Sequence, residues 1–421
     1  MLIPIAALLL SDALLLIGHG LQLTLLPLSA ELNGFTAAQI GLTGSSYFAG
    51  FVTGCIVTPY IVRRVGHIRG FAVLATSYSA LVLMFYEAPW FFTWLLIRFF
   101  AGVAIAGLYM IIESWLSERS TAQTRGTVLS LYVIINLTMI TVGQQLINIT
   151  DIASHSLFAL TAILISLAII PVSLTSQSAP APISNVRMDV VKVWRISHVA
   201  VGGSIITGLV TGAFWSLGPL YAGRIGLGGF ELTAFLSIIV LGGAVFQLPL
   251  GRLSDHYDRR LVVFFVTIVA AMLSVLLALV PTITPWSLLM LAFLWGGAVM
   301  TPYAICLAHA NDRAAPEDFV MVGSVMLLTM GLFSALGSFL AGRFMAVTGP
   351  EGLFWFSALC LLVFALATAL RRRTHVLAAP AVSEPFRAVA ETVTPMALEL
   401  DPRTEAEHSD VLLSEEVQPG A

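Results

Sequence analysis

Four ionisable side chains stand inside long apolar runs of this 421-residue chain: Asp12 and His19 in the first run, Arg98 and Glu113 in the fourth. A charge at the centre of a bilayer costs at least about 2.5–3.5 kcal/mol, so such groups mark solute paths or proton relays. Asp12 and His19 are seven residues apart, nearly on one helix face, and Gln22 continues that stripe. Arg98 and Tyr109 are eleven residues apart, which is about 20° in helical projection, and Glu113 lies one turn further. The carboxyls and the imidazole can take up and release protons. Arg98 cannot shed its charge and needs a carboxylate, carbonyls or a wet cavity beside it. Structural roles stay open for three of them. Asp12 stands about two turns into its run, where it can snorkel to the surface. His19 can pack as a neutral ring, and Glu113 can serve as a structural partner at the inner end.

The second half offers neutral polarity in place of charge. Ser204, Thr207, Thr211 and Trp215 follow one another at i, i+3, i+7 and i+11, and Trp295 and Tyr303 mark the tenth apolar run. Such a wall suits a neutral or amphipathic solute. Close helix packing against small residues explains the serines and threonines equally well.

These residues need membrane helices to hold them. Apolar residues make up 58% of the chain and charged residues 10%, with a mean hydropathy of +0.94. A soluble domain carries about 25% charged residues. A membrane span needs about 20 mostly apolar residues. Twelve such spans are expected, at 4–28, 38–62, 70–87, 90–115, 127–149, 155–175, 198–222, 231–251, 261–281, 285–308, 319–345 and 352–370. The first lacks the basic start and small-residue cleavage site of a signal peptide, so it is read as a retained span.

The spans repeat. Gly20 falls on Gly212, Pro27 on Pro219 and Gly50 on Gly242, all at an offset of 192. At an offset of 194, Gly102 falls on Gly296 and Gly143 on Gly337. The fold class is therefore an all-α polytopic membrane protein of twelve transmembrane helices in two six-helix pseudo-repeats. Two matching halves with a site between them can open to either side by rocking. The expected domains are a first half at 1–175, a linker at 176–197, a second half at 198–373 and a tail at 374–421.

With both termini placed in the cytoplasm, 17 of the 20 Lys and Arg residues fall in inside segments; the others are Arg98, Arg224 and Arg343. That asymmetry supports this orientation. The tail from Thr374 holds 2 Arg against 9 Asp and Glu. It has no sustained apolar period, so it is expected to be disordered or loosely docked, to add no packed element, and to be dispensable. The basic charge elsewhere sets topology and does not read as nucleic-acid binding. Cys55, Cys306 and Cys360 all lie in apolar runs without a metal spacing, and read as free thiols.

Local strings carry a resemblance. Gly251-Arg252-Leu253-Ser254-Asp255-His256-Tyr257-Asp258-Arg259-Arg260 resembles the loop signature G-x-L-x-D-R-x-G-R-R of the major facilitator superfamily, with Asp258 in place of the second glycine. The equivalent string Pro59–Arg69 carries Arg63 where an acidic residue is usual. Arg98-Phe99-Phe100-Ala101-Gly102 is similar to the superfamily's span-4 R-x-x-x-G motif. The antiporter Gly-Pro motif is missing from span 5, where the chain reads Ile140-Thr141-Val142-Gly143. Glu113-Ser114-Trp115-Leu116-Ser117-Glu118-Arg119 and Ala308-His309-Ala310-Asn311-Asp312-Arg313 resemble the YcaD-like branch of bacterial facilitators.

The resemblance implies the major facilitator fold, with spans 1, 4, 7 and 10 lining a cavity. Residues Asp12, His19, Arg98 and Glu113 would then be proton or charge carriers. Gln22, Tyr109, Thr207, Thr211, Trp215, Trp295 and Tyr303 would line the solute cavity. Arg63, Arg64, Asp255, Arg259 and Arg260 would form a cytoplasmic gate, because charges at helix ends can hold one conformational state. The expected function is secondary transport of a small solute, a metabolite or drug-like compound, by uptake or efflux. Protons are the candidate coupling ion, since no G-x-x-x-x-G-K-[ST] string exists to bind ATP. The lipid bilayer of a bacterial inner membrane is the expected surrounding, a monomer the expected unit, and neither cofactor nor enzymatic activity is expected. The competing reading is a facilitator-fold receptor or scaffold that signals without transport.

Overall fold

A computed structural model describes residues 3–121, 123–174, 188–279, 285–315, 318–374 and 394–400. Among these, twelve helical stretches are long and apolar enough to cross a membrane. They agree with the twelve expected spans to within a few residues at each end. The first half holds α1 (Ile3–Leu32), α2 (Ala37–Val65), α3 (His67–Glu87), α4 (Phe91–Glu118) and α5 (Arg125–Gln145). Its sixth span is broken into α6 (His155–Leu167) and α7 (Ile169–Ser173). A short helix, α8 (Val190–Ile196), belongs to the linker. The second half holds α9 (His198–Arg224), α10 (Gly229–His256), α11 (Arg259–Leu279), α12 (Pro285–Asn311), α13 (Phe319–Thr348) and α14 (Gly352–Thr374).

Punctuation follows local chemistry. Thr36 caps α2 with its hydroxyl while the Gln39 side chain bonds back to the cap N–H, a reciprocal capping box. Gly66 joins α2 to α3 at φ +81°, a left-handed value that costs other residues a steric clash. Asp189 caps α8 through the N–H of Lys192. Pro285 opens α12 where a missing N–H costs nothing.

The repeated glycines are the helix crossings. In the first half Gly20 of α1 meets the Ile140 carbonyl of α5, and Gly143 of α5 meets the Ile17 carbonyl of α1. In the second half Gly212 of α9 meets Ser334 of α13, and Gly337 meets the Leu209 carbonyl. Gly50 and Gly102 bring α2 against α4 at Phe99 and Tyr47; Gly242 and Gly296 bring α10 against α12 at Phe293 and Ile239. At each crossing a Cβ would overlap backbone atoms, so only glycine lets the two chains come this close.

The spans alternate in direction. The start of α1 and the end of α14 therefore share one face, the near end, and the opposite face is the far end. The halves meet through α2 and α13, α1 and α9, and α5 and α10. Most of the paired residues there lie toward the far end. Gly41 packs on Ser338 and Gly342, and Leu28 on Gly223. Ser45 donates to the Ala335 carbonyl at 2.6 Å. Gln145 donates to Ser237 at 2.9 Å and accepts from Thr233 at 2.8 Å, and Asn148 donates to Thr233 at 3.1 Å. Arg224 and Glu31 pair at 2.7 Å.

At the near end a piece of the tail lies between the halves. Pro395–Leu400 forms a 3-10 helix against α4, α5 and α13. Thr394, Met396 and Ala397 are buried. This corrects the expectation that the tail adds no packed element. Thr392–Leu398 is uncharged, unlike its acidic flanks, and can enter an apolar space. The remainder of the tail and most of the linker lie outside the described residues.

Candidate functional site

Two polar clusters are built into the first half, and both start from α1. Around His19, three other helices converge. Tyr78 of α3 donates its hydroxyl proton to Gln22 Oε1 in a short bond. Its oxygen must then accept from His19 Nδ1–H, 2.7 Å away. That leaves His19 Nε2 with a lone pair, which accepts from the Tyr47 hydroxyl of α2 at 3.3 Å. The imidazole is thus fixed in one neutral tautomer by two tyrosines. Arg98 of α4 covers the Tyr47 ring, with Cζ 5.0 Å from the centroid. Arg98 is 3% exposed, and its Nε and Nη1 have no hydrogen-bond acceptor among the described residues. The Tyr109 hydroxyl is also without a partner there. The Tyr109 ring stands edge-on to His19.

The second cluster lies nearer the near end. Asn136 of α5 donates to Asp12 Oδ2 at 3.2 Å and to the Tyr132 carbonyl at 3.0 Å. Tyr132 donates to Glu113 Oε1 at 2.9 Å. Thr394 of the tail completes the carboxylate's shell: its N–H lies 3.0 Å from Oε1 and 3.1 Å from Oε2, and its hydroxyl makes a short bond to Oε2. Asp12 and Glu113 are both fully buried. Asp12 Oδ1 has no donor among the described residues.

A cavity between the halves reaches the first cluster at His19, Tyr47 and Tyr109, and meets the tail at Pro395, next to the Thr394 partner of Glu113. It encloses about 790 Å³ of empty space, its open mouth included. His19, Tyr47, Phe51, Cys55 and Tyr109 line it from the first half, Thr211, Trp215 and Met330 from the second, and Pro395 from the tail. The other candidates sit behind this wall. Gln22 is buried under Tyr78. Thr207 is buried, and its carbonyl accepts from Thr211 at 2.8 Å. Trp295 packs on Phe214 and Phe354 and donates to Ser274 at 2.7 Å, inside the second half. Tyr303 is buried as well.

The candidate gate residues lie at the near end in separate groups. Arg63 and Arg64 are exposed at the end of α2. Arg259 pairs with Asp255 at 3.2 Å and with Asp312 at 2.8 Å, all within the second half. Arg260 and Arg313 both donate to His309 Nε2, at 3.4 Å and 2.9 Å. Burial and the Arg260 charge push the pKa of Arg313 down, opposed by Asp258 and Asp312. Lys192 of the linker pairs with Asp318 at 2.7 Å, tying α8 to α13.

Five members of the two clusters went unsingled in the sequence: Tyr47, Tyr78, Tyr132, Asn136 and Thr394. Tyr132 and Asn136 carried a usable signal, a polar pair four residues apart inside an apolar run. Tyr47 and Tyr78 did not stand out from ordinary interfacial tyrosines.

The family model of the Major Facilitator Superfamily matches residues 8–317 and 200–402. The chain is similar to the uncharacterized MFS-type transporter YcaD of Escherichia fergusonii, 28% identical over 337 residues, covering 79% of this chain and 87% of that protein. To YcaD of Salmonella newport it is 27% identical, covering 81% and 89%. Among solved structures, the nucleoside transporter NupG superposes with a TM-score of 0.75 at 17% identity, covering 88% of this chain and 99% of that one. A bacterial homologue of the human lysosomal transporter Spinster, inward-facing and occupied, gives 0.71 at 15% identity, with 90% and 98% covered. Twelve spans, a doubled glycine frame, a cavity between halves and a family model that spans nearly all of them agree: the chain belongs to the Major Facilitator Superfamily of membrane transporters.

Proposed function

We propose that this chain is a proton-coupled secondary transporter of an amphipathic, ring-bearing small solute. It works by alternating access across a bacterial inner membrane, with the near end in the cytoplasm. The observation that carries this reading is the charge set buried beside the cavity. Two carboxyls, Asp12 and Glu113, stand against one guanidinium, Arg98. If all three ionise, one negative charge is left in a low-dielectric site, which is costly. A single proton on either carboxyl removes it, and Asp12 Oδ1 is without a donor. One helix, α5, holds both acids: Asn136 donates to Asp12, and the Tyr132 hydroxyl one turn away donates to Glu113.

The solute class follows from the wall. Aromatic rings from both halves face the cavity, and a few polar groups, His19, Tyr109, Thr211 and Ser334, stand among them. That is the usual lining for a small organic ligand. The concentration of basic residues in the inside segments of the sequence supports its cytoplasmic orientation.

The test uses protein reconstituted in liposomes with a solute found by comparing metabolites of a deletion strain and an overexpressor. An imposed pH gradient should drive net movement of the solute. Asp12→Asn and Glu113→Gln should each leave exchange of solute down its own gradient but abolish pH-driven accumulation. Movement that ignores the pH gradient would remove proton coupling.

A further inference from the structure

We propose that Thr394–Ala397 is a tethered ligand of the transport cavity. It occupies the place where a solute's adjacent O–H and N–H donors meet Glu113, and it must leave before solute can enter from the near side. This rests on the cavity being the transport path.

The segment's N–H groups are all accounted for. A backbone segment inside an apolar space must satisfy every N–H. Here the Thr394 N–H goes to Glu113. Pro395 has none. The Met396 N–H reaches Thr394 Oγ1 at 3.4 Å, and the Ala397 N–H reaches the Thr394 carbonyl at 3.1 Å. The four side chains are also matched. The Thr394 hydroxyl bonds Glu113, the Pro395 ring forms part of the cavity wall, and Met396 and Ala397 are each 3% exposed. Charge sorts this segment from its flanks at Glu391 and Glu399, since an acidic side chain would be repelled by Glu113 in so dry a place.

Glu113 reports what the seat prefers. Among the described residues, Tyr132 is its one side-chain donor from the helices. Without the tail, the remaining lone pairs of a buried carboxylate lack donors, which costs free energy until another donor arrives. The tail supplies an N–H and an O–H on adjoining atoms, the pattern of a 1,2-amino alcohol or its amide. A solute with that pair on a compact apolar body can replace it bond for bond. Tethering favours the internal ligand, because a short tether holds its cargo at an effective concentration on the order of millimolar.

Cys55 gives a readout that needs no solute, since it lines the same cavity as Pro395. Cys306 and Cys360 are first changed to Ser. A methanethiosulfonate reagent is then applied to the full chain and to a chain ending at Thr374. Truncation should raise the Cys55 labelling rate by about tenfold or more, as should Thr394→Val in the full chain, since bonds to a charged acceptor are worth about one decade or more. A peptide of residues 391–400, added at millimolar concentration, should restore protection to the truncated protein. The same peptide with Thr394→Val should not. Equal labelling of full and truncated chains, or equal protection by both peptides, would overturn the proposal. Occupancy is read separately from flux. Protection that leaves solute flux unchanged would overturn the blocking role and spare the transporter reading. Intact protection with no flux in any form, truncated chain included, would sink the transporter reading alone.

Discussion

The two halves share a frame and differ in chemistry. Carried across at the offsets of the glycine crossings, 192 for α1 and 194 for α4, each of the four ionisable groups buried within α1 and α4 has a neutral twin. Asp12 corresponds to Ser204, His19 to Thr211, Arg98 to Ala292 and Glu113 to Leu307. Tyr109 keeps its type as Tyr303. The hydroxyls on the second-half side return to their own helices: Ser204 donates to the Ala200 carbonyl and Thr211 to that of Thr207. In the first half the polar groups reach across to other helices. Backbone crossings thus fix where a side chain stands, and leave open what it does there. One half can carry charge while the other supplies a wall.

The largest effect that tests this division is expected at Arg98. Arg98→Ala removes one member of a buried charge set, which costs about 3–5 kcal/mol. Solute flux per inserted protein in liposomes should fall by at least about a hundredfold. Ala292→Ser, at the twin position, should change flux by less than about twofold, since the second half carries no charge there. Comparable losses at both positions would break the comparison.

The shared frame predicts equality where the chemistry predicts difference. Gly50→Val and Gly242→Val each push a side chain into a neighbouring carbonyl, at Phe99 and Phe293. Overpacking of this kind costs about 1–3 kcal/mol. The two variants should lose similar thermal stability in detergent, read by intrinsic fluorescence. A large drop in one half alone would show that the halves are not built alike.

Two tryptophans sharpen the reading of the second half. Trp215 faces the cavity and Trp295 does not. Trp215→Ala should raise KM by up to about tenfold, the worth of an aromatic contact. Trp295→Phe should leave KM alone and cost about 1 kcal/mol of stability through the lost bond to Ser274.

The smallest effect is expected at the far-end ion pair. Arg224 and Glu31 are 29% and 34% exposed. Such a pair is worth about 0.2–1 kcal/mol and weakens with salt. Arg224→Gln should shift the far-end opening equilibrium by less than about fivefold, measured by spin-label distances across α1 and α9, and added salt should mimic it.

Much of the frame was legible because it rests on short-range rules. Twenty-residue apolar runs, turn residues such as Asn33-Gly34 and repeated glycines are visible one segment at a time. The cavity groups His19, Tyr109, Thr211 and Trp215 were legible through helical spacing. Thr207 shares that spacing but stands behind the wall, and Trp295 faces inward, because helix rotation is set by neighbours that one helix does not reveal. Tyr47 and Tyr78 could not be paired with His19 from sequence, since their partners lie on other helices. Thr394 was least visible of all. Its short uncharged segment has no periodicity, and its meaning comes from an unsatisfied carboxylate 281 residues earlier in the chain.

The glycine crossings also bear on how the protein is made. Those built on the repeated glycines join helices of the same half, α1 to α5 and α2 to α4, or α9 to α13 and α10 to α12. Domains form during synthesis as their own contacts become available, the earlier part first. The first half holds all its crossing partners once Gly143 is in the membrane, while the second is still on the ribosome. Only the seam around Gln145, Ser237 and Ser45 must wait for both. Thr394 emerges after every span, so the helices around Glu113 are all made before its Thr394 partner exists.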